Sequence, residues 1–412
     1  MKTLLHYRFR MIALIFSVVL ASCSTEEGPT VELTEETSQN VKPYYSEPIP
    51  GQYIIVYKDQ KTAQTDLSSR KRAIENKTAE LLSQYKSSGA EILEVYGAAL
   101  NGAAVKISAA QAARLEDHNA IAFIEQDRLV ALAPPCGTPN GGPCDPDDGG
   151  GDTPTSGEEV PYGITRVNGV ANYTGSNVAW ILDTGIDLDH PDLNVDASRG
   201  FNAFTSGRDA KSLDDNNGHG THVSGTIAAV NNDIGVIGVA PGATVIPVKV
   251  LNARGSGSYS GVIAGVDYVA ANGSSGDVAN MSLSGPVSQA LDQAVLAASQ
   301  QGITFALAAG NESTDSNNSS PCRVNGNNIV TISASDANDN WAYFSNYGNP
   351  PVDYAAPGVN VTSTWKDGTY NTISGTSMAA PHAAGVLLLG PASTDGVVSG
   401  DPDGNADPII VH

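Results

Sequence analysis

Four short stretches of this 412-residue chain carry side chains that together could attack a peptide carbonyl. They are Asp183-Thr184-Gly185-Ile186-Asp187, His219-Gly220-Thr221-His222-Val223, Ala308-Ala309-Gly310-Asn311 and Gly375-Thr376-Ser377-Met378-Ala379-Ala380-Pro381-His382. In chain order they supply an acid, a base, an amide and a hydroxyl. Ser377 can attack the carbonyl. His219 can take its proton and return it to the leaving amine. Asp183 can orient the imidazole and stabilise its charged form, and Asn311 can donate its side-chain amide to the oxyanion beside the Ser377 backbone N–H. Ser377 precedes a run of helix formers, Met378 to Leu389. It therefore falls at or near a helix N-terminus, where free N–H groups and the dipole favour developing negative charge. Pro381 is tolerated in a first turn, which puts the helix start close to Ser377. Gly375 lets another chain approach the backbone. Taken alone, Ser377 reads as simply an N-cap. The other three stretches change that reading.

Alternating apolar strands and helices must hold these residues. From residue 160 onward, strands are predicted at 178–182, 245–251, 278–283, 303–307 and 329–332, with helices at 221–230, 259–271 and 289–300. Continuous apolar strands between helices imply an α/β domain, with a parallel sheet covered on both faces. Asp183, Ser282 and Asn311 fall at or just beyond the carboxyl ends of strands, where open α/β sheets bind ligands. Upstream, 53–57, 91–96, 103–107 and 122–126 read as strands. Residues 66–86 read as a helix with Ile74, Leu81 and Tyr85 on one face. Ser108 and Gln111 form a capping box for a shorter helix ending near His118. The order β-α-β-β-α-β is that of a small ferredoxin-like α+β unit.

The four motifs, in the order Asp, His, Ser, resemble the subtilisin-like serine proteases, with features of both subtilisin and proteinase K. That resemblance, over residues 51 to about 390, implies a three-layer subtilisin-like catalytic domain at 158–412 and a serine endopeptidase activity. It makes the small unit at 51–133 an inhibitory propeptide, which chaperones folding and then blocks the cleft. It makes Gly255, Ser256 and Gly257 one substrate-binding strand, with Ser282, Leu283 and Ser284 opposite and Gly310 beside them. Many relatives have Gly where this chain has Ser284. An extended peptide paired on both sides would be the substrate. The resemblance also implies a structural calcium site: Asp192, the Asn232 side chain, backbone carbonyls of Val230, Ile234 and Val236, and Glu158 once its chain is free to fold against the loop. Such oxygen ligands suit Ca²⁺. Asp353 resembles a weaker second position. His222, three residues after His219, is structural in the family, and His190 and His382 are read the same way. A zinc pair is the rival for His219 and His222, without an evident third ligand. After Leu389 only a short acidic tail remains, where relatives add a helix. A silent binding protein in the same cleft would fail to react with a fluorophosphonate probe; an esterase would be separated by parallel peptide and ester assays.

The net charge of −22 makes nucleic acid an unsuitable partner. Residues 51–133 are balanced, with ten basic and ten acidic side chains, whereas 158–412 carry 8 basic and 24 acidic ones. So acidic an enzyme resists self-association and is expected as a monomer. At the N-terminus Lys2, Arg8 and Arg10 precede the apolar run Met11–Leu20, about half a bilayer span, which reads as an export signal. It ends in Leu20-Ala21-Ser22-Cys23, which resembles a bacterial lipobox: residues 1–23 would be a lipoprotein signal peptide, with Cys23 lipidated as the only membrane attachment. An ordinary signal peptidase site is the alternative. Residues 24–50 read as a disordered tether and 134–157, rich in Gly, Pro, Asp and Thr, as a flexible linker. Exported chains meet oxidising conditions; Cys136 and Cys144 are close enough to pair, which leaves Cys322 over.

Overall fold

The computed structural model describes residues 47–58, 66–85, 89–132 and 157–412. The export signal, Cys23, most of the tether, Cys136, Cys144 and all of the linker but Gly157 lie outside them. The first unit runs β1 (Pro48–Tyr57), α1 (Leu67–Gln84), β2 (Glu91–Tyr96), β3 (Gly102–Lys106), α2 (Ala109–Glu116) and β4 (Ile121–Ala131). Its strands pair antiparallel in the order β4-β1-β3-β2. The Asp66 side chain caps α1, and Ser108 with Gln111 forms the capping box of α2. β1 is apolar at successive positions because both its faces are covered. Tyr53, Ile55 and Tyr57 pack with α1 and α2, while Ile54 and Val56 turn towards the second unit.

The second unit begins with β5 (Glu158–Glu159), α3 (Tyr162–Arg166), β6 (Ala179–Asp183), β7 (Phe201–Asn202), α4 (His219–Ala228), β8 (Gly235–Val236) and β9 (Val245–Lys249). It continues through β10 (Ser256–Ser258), α5 (Tyr259–Asn272), β11 (Val278–Met281), β12 (Gly285–Pro286), α6 (Gln289–Ser299), β13 (Thr304–Ala308) and β14 (Ser319–Ser320). It ends with β15 (Ile329–Ser335), β16 (Val352–Pro357), β17 (Val361–Trp365), β18 (Thr369–Ile373), α7 (Thr376–Leu389), β19 (Ser393–Val397) and β20 (Pro408–Val411). The main sheet has the order β19-β20-β16-β15-β13-β11-β6-β9-β7, parallel throughout except at β19–β20. Ala179 and Ile181 of β6 pack with α4 and α7; Trp180 and Leu182 pack with α5 and α6. This is the three-layer arrangement expected from continuous apolar strands. Chain order reverses between β6 and β11, so the crevice at their carboxyl ends is the switch point where such sheets bind ligands.

Three of the differences from the predicted elements lie in α4, α7 and the C-terminal tail. First, α4 starts at His219 rather than 221 and ends at Ala228. The Asp215 carboxylate accepts the N–H groups of Asn217, Gly218 and Thr221, closing the turn that launches the helix earlier. Second, Pro381 lies in the second turn of α7, which begins at Thr376. Third, the acidic tail forms β19 and β20 and extends the main sheet. Its acidic composition hid Val398, Ile409, Ile410 and Val411, all buried.

The two units meet through the other face of the first sheet. β4 runs past 126 to Ala131 because β10 pairs with its end, giving a five-stranded sheet shared by both units. Its Asp127 accepts the Ser260 N–H at the start of α5, and Glu125 accepts the Ala290 N–H at the start of α6. Both are favourable seats for a carboxylate, at unpaired N–H groups and the positive dipole end. Further along α5, Asp267 Oδ1 takes three consecutive amides, Gly97, Ala98 and Ala99, at 2.7–3.0 Å.

Candidate active site

Asp183 ends β6 and is fully buried. Its carboxylate accepts the Thr184 N–H at 2.7 Å, and His219 Nδ1 stands 2.9 Å from each of its oxygens. A carboxylate only accepts, so the imidazole proton is on Nδ1 and Nε2 is left as the base. The pair is fixed from below. Thr184 Oγ1 accepts the Gly220 N–H, and the buried Lys249 ammonium donates to the Thr184 and Asp214 carbonyls. A Cβ on Gly220 would collide with the Gly185 carbonyl oxygen, so only glycine lets this helix come so near.

Ser377 is the second residue of α7, so its N–H has no intrahelical acceptor. Pro381 lacks the N–H that would bond the Ser377 carbonyl four residues back. The Ser282 hydroxyl takes that place, donating to Ser377 O at 2.8 Å while Asn280 donates to Ser282 Oγ. Ser377 Oγ itself donates to the Ser282 carbonyl at 3.2 Å, and no hydrogen bond joins it to His219. Such catalytic contacts often tighten only around substrate.

Asn311 follows β13. Its Oδ1 accepts both the Thr376 N–H at 2.8 Å and the Thr376 hydroxyl at 2.9 Å. With the oxygen held, the opposite end of the amide, Nδ2, is the free donor. Thr376 Oγ1 also accepts the Gly310 N–H, and Gly310 adopts φ +110°, a conformation suited to glycine.

The substrate-binding strand expected at Gly255–Gly257 is occupied by the chain's own first unit. Ser256, Gly257 and Ser258 pair with Ala131, Val130 and Leu129, and the Leu132 N–H donates to Gly255 O at 2.8 Å. Leu283 is buried, while Ser284 is half-buried between β11 and β12.

The expected calcium ligands Glu158, Asp192 and Asn232 meet at one loop. β5 pairs with β8, and Glu158 Oε1 accepts the N–H groups of Asn232 and Asp233. Asp192 Oδ2 accepts the Val236 N–H and the Tyr370 hydroxyl. Its Oδ1 is buried without a partner. Burial pushes the Asp192 carboxyl up to about 6, and the nearby Glu158 charge adds to this. Asn232 Oδ1 accepts the Ile234 N–H. Val230, Ile234 and Val236 belong to the same loop. An orphaned buried carboxylate oxygen on a residue that bonds this loop fits a hard cation. Asp353 stands apart on β16, its carboxylate taking the Thr331 N–H.

The other histidines have structural partners. His222 Nε2 donates to Val361 O at 2.9 Å, and burial pushes its imidazole down to about 3. Among the described residues no group of three His, Cys, Asp or Glu side chains forms a metal set, so a zinc pair lacks its third ligand. His190 bonds Thr369 O and His382 bonds Met378 O. Cys322 is buried and free. Asn280, Glu312, Asn346, Lys249 and Thr376 were not singled out from sequence. Thr376 alone had a signal, its place beside Ser377.

Residues 175–390 match the family profile described as the subtilase family, and residues 52–133 match that of peptidase inhibitor I9. This chain belongs to the subtilase family. It is 38% identical to the "Extracellular serine proteinase" of a Thermus species, over 90% of this chain and 87% of that one. It is 48% identical to "Subtilisin Savinase" of Lederbergia lenta, over 56% and 84%. A solved structure of a cold-adapted subtilisin-like serine proteinase covers 60% of this chain and 96% of its own, with 37% identity and a TM-score of 0.53. The subtilase domain and its inhibitor domain thus account for most of the described chain. The protein is a subtilisin-like serine protease with a built-in inhibitor of its own cleft.

Proposed function

We propose that this subtilase is an exported endopeptidase, made as a self-processing precursor, in which Asp183, His219 and Ser377 form the triad and Asn311 is the oxyanion donor. The observation that carries this reading is the bidentate approach of His219 Nδ1 to buried Asp183, at the sheet edge that also presents Ser377 and Asn311.

Ser377 Oγ rotates from the Ser282 carbonyl towards His219 Nε2 and attacks the scissile carbon as the proton passes to the imidazole. Asp183 stabilises the imidazolium. The oxyanion forms against Asn311 Nδ2 and the Ser377 N–H, and the imidazolium then protonates the leaving amine. Gly255–Gly257 and Ser282–Ser284 hold the peptide as an extended strand. β4 supports this placement, because residues 129–132 already lie on that edge as a substrate would.

Ca²⁺ held by Asp192, Asn232, Glu158 and the carbonyls of Val230, Ile234 and Val236 would neutralise the buried carboxylate and tie β5 to the loop. Cys23 would carry the lipid anchor; among the described residues no helix is long and apolar enough to cross a membrane. Two lipid signals give stable anchoring, so Cys23→Ala should move the protein from the membrane to the soluble fraction. A wild-type protein already soluble and unlipidated would refute the anchor.

The test of the catalytic reading is Ser377→Ala. It should fold, retain its propeptide uncut and lose peptide hydrolysis down to the residual level left by binding and the oxyanion donors. A pure Ser377→Ala protein that still trims its own propeptide would refute self-processing.

A further inference from the structure

Asn346 lies in the loop between β15 and β16 and is fully buried. Its side-chain hydrogen bonds all go to one place, the turn 309–314 that carries Asn311. Nδ2 donates to Ala309 O at 3.1 Å and to Glu312 Oε2 at 2.8 Å. Oδ1 accepts the N–H groups of Glu312 and Thr314, each at 3.0 Å, and the Thr314 hydroxyl at 3.5 Å. Its own N–H donates to Gly310 O at 2.9 Å. The Glu312 carboxylate in turn accepts the Asn311 N–H at 3.0 Å, through the same oxygen that Asn346 holds.

Asn311 is therefore gripped twice. Thr376 fixes the oxygen of its side-chain amide, and Glu312 fixes its backbone N–H. Glu312 is half-buried, and among the described residues its carboxylate bonds only Asn346 and the amide it caps. Without Asn346, water would compete for that carboxylate, and the Ala309 carbonyl would keep only the Ser316 hydroxyl as a side-chain donor. An oxyanion donor works because it is aimed before charge develops, and small displacements of such a group are costly in rate.

We propose that Asn346 is a positioning residue for the oxyanion donor, acting through Glu312 to hold Asn311 at the place where the oxyanion forms. The proposal rests on the reading of Asn311 as that donor. It concerns kcat rather than substrate affinity, because neither side chain lies on the peptide-binding strands.

The test is a double-mutant cycle on the self-processed enzyme with a peptide amide substrate. Asn346→Ser should lower kcat about tenfold or more while KM changes less than about twofold. In an Asn311→Ala background the same substitution should change kcat less than about twofold, because the donor it positions is gone. Glu312→Ala should behave in the same way, and Glu312→Gln, which keeps an accepting oxygen, should lose less than Glu312→Ala. The glutamate variants carry the test if Asn346→Ser does not fold. Equal losses in the two backgrounds, or no loss in the wild-type background, would overturn the proposal while leaving Asn311 in its role. A full kcat in Asn311→Ala would refute that role instead, and this proposal with it.

Discussion

Pro381 and Ser282 show how much of this site depends on single atoms. The missing N–H of Pro381 frees the Ser377 carbonyl, and the Ser282 hydroxyl takes it. Ser282→Ala should leave that carbonyl without a protein donor and lower kcat, with a cost on the scale of one buried hydrogen bond, about 1–3 kcal/mol. Unchanged kinetics would mean that water replaces the hydroxyl. Asn311→Ala should cost about 3–4 kcal/mol of transition-state stabilisation, read as a fall of 10²–10³ in kcat. Asp192 gives a pH prediction. Its folded carboxyl is raised above its unfolded value, to about 6. The native state then binds more protons than the unfolded state between about pH 4 and 6, so in chelator stability rises as pH falls through that window. Asp192→Asn should remove its share of this rise, to which Asp292, Asp353 and Asp401 also contribute, seen as a flatter dependence of Tm on pH. Asp183, His219, Asn311 and Ser377 could each be named from a few neighbouring residues. Asn280, Asn346 and Lys249 could not, because each acts on residues distant in the chain and reads locally as an ordinary strand or loop residue.

At the scale of elements, apolar runs located β6, β9, β11, β13 and β15, because buried parallel strands have no polar face to confuse the pattern; β7 and β16 of the same sheet were not legible in this way. β4 and the C-terminal strands are completed by distant partners, whereas the early start of α4 comes from nearby Asp215. The polar run Glu125-Gln126-Asp127-Arg128 interrupts the apolar pattern of β4 near 126, yet its last residues gain a neighbour in β10. On the same interface Asp267 accepts three amides of the propeptide. Asp267→Ala would leave those N–H groups buried and unpaired. At about 1.5–3 kcal/mol, propeptide inhibition should weaken roughly 10- to 150-fold with hydrolysis of a small peptide unaltered. An unchanged inhibition constant would show that the shared strand alone holds the inhibitor. The C-terminal strands are visible in sequence only as Pro408-Ile409-Ile410-Val411, too short a run to stand out from its acidic surroundings. Ile409→Ala should destabilise the enzyme by about 2–5 kcal/mol, lowering Tm by several degrees. A Tm within one degree of wild type would mean that β20 contributes little to the sheet.

At the scale of the whole molecule, the unbroken chain holds two positions at once. Residues 129–132 lie on the edge proposed to bind substrate while Glu158 is already docked against the loop proposed to hold calcium. The sequence reading had Glu158 joining that loop only once its chain was free; the interval between the two segments is long enough for both contacts to form before cleavage. Uncut Ser377→Ala precursor should therefore gain thermal resistance from Ca²⁺ and lose it in chelator, by about 2.7 kcal/mol at a hundredfold excess over Kd. Asp192→Ala should abolish most of that dependence, and equal shifts in the two proteins would place the ion elsewhere, with Asp353 the next position to test. All of this presupposes that Ser377 is a nucleophile activated by His219. The most direct measurement is mass mapping of the self-processed enzyme after reaction with a fluorophosphonate, beside the His219→Ala variant. A single adduct on Ser377, formed far more slowly in the variant, is the predicted result. An adduct on another residue, or equal labelling of the two proteins, would contradict it.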